Sequence, residues 1–245
     1  MLLHGRLEDV TVAKVTEPST PGDVSSTRTV DRALALLMTL LEGTTNGTLS
    51  DLARATGLSP STASRLLSTL AQHQLIRRDS DGRHWAGSRM KQIAAATLRE
   101  EPLYELVGPH LHALVEETGE TASLGVAAGK DQVLYLRQVA STRQVQTITW
   151  TGRTIPRKDT ALGAALDGKP TPRGYVTSQR PDSDVTAVAA PIIGHDGTIL
   201  GAISINAPTY RTSEPDVERF GQALVRHAST LSSSLGAPAH LVGTR

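Results

Sequence analysis

Apolar positions first recur at helical spacing from residue 30. Val30, Leu34, Leu37, Leu40 and Leu41 share one face and predict a helix over residues 29–42, ended by Gly43 and Gly47. A shorter helix follows, with Ser50 as N-cap, Leu52, Ala53 and Ala55 within it and Gly57 as its stop. Ser59-Pro60 opens a third, which runs to about Gln72 with Leu66, Leu67 and Leu70 as its apolar face. Serine caps the free amides there, and proline at the first helical position lacks only an N–H that would have no partner. The period then changes: residues 75–78 and 83–86 read as strands around Asp81-Gly82, a two-residue hairpin signal.

Further on, residues 88–98 predict a helix with Met90, Ile93, Ala94 and Leu98 on one face. Pro102 separates it from a long amphipathic helix over 103–118, capped by Gly119. Strands are predicted over 121–128, 132–139, 144–150, 175–178, 185–193 and 198–205, a short Ala-rich helix over 160–166 and a terminal helix over 214–235. The resulting fold class is α+β. A winged helix-turn-helix occupies 28–87, a linker helix 88–101 and a second α/β domain 102–238. Polar tails are expected at 1–27, broken by Pro18 and Pro21, and at 239–245.

Composition narrows the function. With 245 residues and 38% hydrophobic content the chain can build one or two real cores. A net charge of +1 gives no global basic footprint, so any affinity for nucleic acid has to be local. Residues 28–90 supply it: eight arginines and no lysine against five acids. Without cysteine there are no disulfides and no thiolate metal sites, which fits a cytoplasmic protein. No apolar run is long enough to cross a membrane. Nucleotide-binding, zincin and nucleophile-elbow motifs are absent, so neither a catalytic residue nor a metal or cofactor is expected. His110 and His112 stand two apart on a helix, on different faces, and cannot form an i, i+4 metal pair.

Helices two and three with a tight turn between them, followed by a hairpin, are suited to insertion into the major groove. The first turn of the third helix carries Ser59, Ser61, Thr62, Ser64 and Arg65. Small hydroxyls approach phosphates closely, the helix N-terminus favours an anion, and Arg65 can reach guanine O6 and N7 or clamp a phosphate. Arg28 and, on the wing, Arg77, Arg78, Arg83 and His84 are candidates for backbone contact. The alternative is an interaction or sensor module without sequence-specific DNA binding. Such a module would expose apolar residues where this helix carries hydroxyls and arginine.

The runs VDRALALL (30–37), LSDLARATGLSPSTASRLL (49–67) and GRHWAG (82–87) resemble the IclR family of bacterial transcription regulators. So do HLHALVEETGETA (110–122), Ile155-Pro156 followed by TALG (160–163), VAAP (188–191) and AISINAP (202–208). The resemblance covers about residues 28–235 and implies a GAF-like C-terminal domain that binds a small organic effector. It points to a pocket of Ile155, Thr160, Ala161, Leu162, Thr177, Ser178, Val185, Ala187, Ser204 and Asn206, with Val145 and Thr147 from the strand at 144–150. Residues two apart in a strand share a face, so Ser204 and Asn206, Val185 and Ala187, or Val145 and Thr147 can point together. The amides that open the helix at 160 could receive a carboxylate.

Three positions depart from the family pattern: Lys158 where a histidine is usual, Asn206 where serine is commoner, and a very short 168–174 segment. Tyr135 and Trp150 favour an aromatic acid or derivative as effector. The resemblance further implies a repressor of a catabolic operon that binds a double-stranded operator as a homodimer or dimer of dimers. Residues 30–41 and 88–98 would form the contacts between copies. Effector binding would act on the operator through the linker helix.

Overall fold

The computed structural model describes residues 23–43, 45–169, 171–179 and 184–242; the outer parts of both expected tails, 1–22 and 243–245, lie outside them. The chain forms two compact units that divide between Gln92 and Ile93, inside the expected linker helix.

In the N-terminal unit, α1 (Asp23–Leu41) starts inside the expected tail, over a stretch too poor in apolar residues for periodicity to register. Helix α2 (Leu49–Ala55) is capped by Thr48, not Ser50. The Thr48 hydroxyl accepts from Asp51 N at 3.2 Å and donates to Asp51 Oδ2 at 2.8 Å. The reciprocal pair three residues apart outcompetes a lone serine. Helix α3 (Pro60–Gln72) has Ser59 as its N-cap and proline in its first turn.

Strands β1 (Ile76–Arg78) and β2 (His84–Ala86) pair antiparallel with Arg77 opposite Trp85. Their connection is longer than the two-residue turn expected. Asp79 O accepts from Gly82 N at 3.1 Å, and Gly82 sits at φ +79°, giving a three-residue Ser80-Asp81-Gly82 loop with glycine in the left-handed position. Leu36, Leu37, Leu52, Leu66, Leu67, Leu70 and Ile76 form the core. Helix α1 is turned differently from the expected face: Leu36 and Leu37 point inward, whereas Val30, Leu34, Met38 and Leu41 are all at least 40% exposed. Helix α4 (Ser88–Arg99) buries no residue.

The C-terminal unit opens with α5 (Pro102–Thr118), which Gly119 ends at φ +74°. A six-stranded antiparallel sheet follows, in the order β5 (Thr154–Pro156), β4 (Gln132–Val139), β3 (Thr121–Ala128), β8 (Ile199–Pro208), β7 (Val185–Ile193), β6 (Val176–Gln179). One face packs on α5 and α7 (Glu214–Ser234) through Leu124, Val188, Ile192, Ile203 and Ile205. The other carries α6 (Ala161–Leu166), seated on Val133, Ala189 and Ala202. Ile203 and Ile205 against Ala202 and Asn206 show the period of two that splits β8 between the faces.

Two glycines let α6 lie this close. A Cβ on Gly125 of β3 would come within 2.9 Å of the Leu162 side chain, and one on Gly163 would stand 1.7 Å from Arg157 O. At the C-terminus, α8 (Ala239–Val242) forms a helical turn where a polar tail was expected. No described helix is long and apolar enough to cross a membrane.

The segment 144–150 is not a strand. Its alternation puts Val145 on one face and Ile148 and Trp150 on the other, so neither face is driven into a pleat. The Gln138 side chain also takes the bonds that a neighbouring strand would make on β4. Its amide donates to Ile148 O at 3.2 Å and accepts from Trp150 N at 2.9 Å.

Candidate functional site

Two places carry the expected chemistry, one in each unit. In the first, α3 presents its N-terminal turn to solvent: Ser59, Ser61, Ser64 and Arg65 are exposed and Thr62 half-buried. The Ser59 hydroxyl is committed to capping. It accepts from Thr62 N at 3.3 Å and lies 2.9 Å from Thr62 Oγ1 and 3.1 Å from Ser61 Oγ. Ser64 and Arg65 remain as the groups best placed to reach outward, and Arg28 is exposed on α1.

On the wing Arg77, Arg78 and Arg83 are exposed, and Arg78 Nε donates to Gly82 O at 3.2 Å across the loop. The Trp85 indole donates to Asp79 Oδ2 at 2.6 Å, and this bond is the chief cause that holds the Asp79 carboxyl below the usual range. His84 is a correction. It is buried, with Nδ1 at 3.0 Å from Gly47 O and its own amide donating to the same carbonyl at 2.8 Å. It ties the wing to the loop before α2 and is not available for DNA. Strand alternation puts it on the inner face beside exposed Trp85.

In the second unit a cavity of about 560 Å³ opens between α6, the sheet and the segment 145–150. That size suits a drug-sized or smaller ligand. Val145, Thr147, Ile155, Thr160, Ala161, Leu162, Ser178, Val185, Ala187 and Asn206, all named from the sequence, come together in its lining. Thr177 and Ser204 do not. Thr177 pairs with Val188, on the α7 side of the sheet, while its neighbour Ser178 pairs with Ala187 on the cavity side. Adjacent strand residues cannot both face one cavity. Ser204 does lie on the same face as Asn206, but it is fully buried beside Ala202 in the layer that α6 covers.

Thr160 caps α6: its hydroxyl accepts from Gly163 N at 3.1 Å and lies 3.1 Å from Arg157 O. One of the amides expected to greet a ligand is thus already satisfied. The floor is neutral and polar. Tyr135 and Asn206 are both buried there; burial raises the Tyr135 phenol pKa, and the neighbouring Asn206 amide opposes that shift. The Tyr135 and Trp150 rings lie 6.0 Å apart.

A model of the IclR helix-turn-helix domain matches residues 29–80, and one of the bacterial transcriptional regulator IclR C-terminal domain matches 95–168 and 173–233. The chain belongs to the IclR family. It is 27% identical over 260 residues to the HTH-type transcriptional regulator BhcR of Paracoccus denitrificans, covering 91% of this chain and 92% of that one. To the transcriptional repressor IclR of Escherichia coli it is 31% identical over 156 residues, which cover 63% of this chain and 56% of the relative. Among solved structures it superposes on the Thermotoga maritima IclR with a TM-score of 0.69 at 20% identity, covering 86% and 99% of the two chains. An IclR homolog from Microbacterium hydrocarbonoxydans complexed with 4-hydroxybenzoate gives 0.66 at 23% identity, covering 84% and 99%. This IclR-family protein is a helix-turn-helix transcriptional regulator, not an enzyme.

The IclR-family match breaks between residues 168 and 173. The pocket also has walls that sequence reasoning missed: Gln146, Ile148, Asp184, Pro208 and Tyr210. Pro208 ends β8, which runs three residues beyond the expected strand, and Tyr210 stands in the 3₁₀ turn Thr209–Arg211 just after it. Tyr135 and Trp150, which the sequence tied to an aromatic effector, also line the cavity.

Proposed function

We propose that the protein is an effector-controlled repressor of a catabolic operon, binding its double-stranded operator as a homodimer or a dimer of dimers, and its effector in the cavity beside α6. The observation that carries this reading is that one chain joins an exposed Ser64–Arg65 recognition turn to a ligand-sized cavity lined by tyrosine and tryptophan. Helix α4 is the element through which the effector would act, with a coupling of about 1–3 kcal/mol changing operator affinity roughly 5- to 150-fold. The aromatic lining and the relative complexed with 4-hydroxybenzoate support a small aromatic effector.

The test begins with selection of binding sites from random-sequence DNA, which should enrich one inverted repeat. On that site Arg65→Ala costs about 1–3 kcal/mol and relaxes preference at one base pair if Arg65 reads a base edge. No enrichment would favour a sensor module that lacks sequence-specific DNA binding, and undiminished specific binding would remove Arg65 from the reading surface.

The stripe Val30, Leu34, Met38 and Leu41 on α1 supports dimerisation, since four large apolar side chains in a row on an exposed helix face favour burial against another surface. Leu34→Glu puts a charge into that stripe. The variant is expected to run as a monomer in light scattering at micromolar concentration and to lose at least tenfold in operator affinity. A wild-type protein that is itself monomeric would overturn the homodimer.

A further inference from the structure

We infer that the ligand of the C-terminal cavity is an uncharged aromatic molecule that presents a hydrogen-bonding group to Asn206, not a carboxylate; this rests on reading that cavity as the effector site. Among the described residues, the one charged side chain on its walls is an acid, Asp184. The basic groups of the neighbourhood are engaged elsewhere. Arg211 and Arg143 both bind Glu120, at 2.9 and 3.2 Å, and Arg157 binds Asp167 at 2.6 Å. Arg153 stacks over the Trp150 ring at 5.9 Å and does not line the cavity. Lys158, which could have attracted an anion, is exposed and also absent from the lining.

A carboxylate in this place would leave water without a cationic partner and would meet the field of Asp184, both of which disfavour it. The first turn of α6 offers little to offset this, since Thr160 occupies the Gly163 amide and the helix is only six residues long. What the cavity does offer is neutral: the buried Tyr135 and Asn206 side chains on the floor and the Trp150 and Tyr210 rings around them. An amide or phenol on an aromatic ring satisfies both. Asn206 has a donor and an acceptor on one side chain, so it can pair with a group that needs either.

The experiment uses the full chain carrying Trp85→Phe, which leaves Trp150, on the cavity wall, as the sole tryptophan. Trp150 fluorescence is titrated with 4-hydroxybenzamide and with 4-hydroxybenzoate, which differ in the charge of one group. The amide is expected to bind at least tenfold more tightly, and Asp184→Asn to narrow that gap at least threefold. Equal or tighter binding of the benzoate overturns the inference, and a gap unchanged in Asp184→Asn overturns its electrostatic basis. If neither compound changes the fluorescence at millimolar concentration while the wild-type protein still holds its selected DNA site, the ligand class is wrong and the regulator reading stands. Failure to hold any DNA site would instead count against that reading.

Discussion

Gly163→Ala is expected to cost the C-terminal unit about 3 kcal/mol or more, the upper range for forcing atoms into a packed interior. The reason is local. The new Cβ would stand 1.7 Å from Arg157 O, far inside contact distance, and the obstacle is backbone rather than the end of a flexible side chain. Relief requires α6 to lift from its seat, where Leu162 already touches Gly125 of β3. Because Ala161 and Leu162 form part of the cavity wall, the same shift deforms the ligand site. Calorimetry should show the C-terminal transition lowered by roughly 6–12 °C, at about 2–4 °C per kcal/mol for a unit of this size. Gly152→Ala separates the two costs: that glycine, unlike Gly163, sits in a left-handed conformation, at φ +80°, but a Cβ there meets nothing within 4 Å, so it reports backbone strain without a clash. A Gly163→Ala protein that melts with the wild type would show that α6 does not need this close approach.

How far such features could be read from the chain depended on whether they leave a periodic trace. Strands β3 and β4 are bounded by Gly119 and by the Gly129-Lys130-Asp131 turn, and their limits were legible to the residue. The same holds for α3, where a cap, a proline and an apolar face agree. Legibility failed where side chains replace backbone in holding the chain. The 144–150 segment is held by Gln138, a residue on another element, and no pattern within the segment itself announces that. His84 failed for a related reason: a basic residue in a wing invites a phosphate contact, and only the path of the Gly47 carbonyl shows it facing inward. In the cavity, residues named singly from the family pattern came together, but pairs adjacent on a strand could not both be right. The rim from Asp184 and Tyr210 comes from a connection and a turn that carry no periodicity at all.

Glu120→Ala is expected to destabilise the same unit by about 2–3 kcal/mol, just below the usual penalty for breaking a buried ion pair. Glu120 follows Gly119 at the start of β3, and its side chain is 4% exposed. Arg211 grips it with two bonds of 3.0 and 2.9 Å, while Arg143 adds a contact at 3.2 Å from a side chain that is 48% exposed. The half-exposed partner contributes little, so most of the loss falls on Arg211, which is 18% exposed and would be left with poorly compensated charge. Glu120→Gln keeps the shape and one acceptor for the still-charged guanidinium but turns an NH2 toward its second donor, so it should lose less than Glu120→Ala without matching the wild type. The ion pair does more than stabilise. Arg211 also donates to Val145 O at 2.8 Å, and its neighbour Tyr210 stands on the cavity rim, so one buried carboxylate fixes the start of the 145–150 wall against the 3₁₀ turn. Acrylamide quenching of Trp150 in the Trp85→Phe background should therefore rise in Glu120→Ala at temperatures well below its melting transition. Unchanged quenching together with a lowered transition would confine Glu120 to stability and leave the cavity wall held by Gln138 alone.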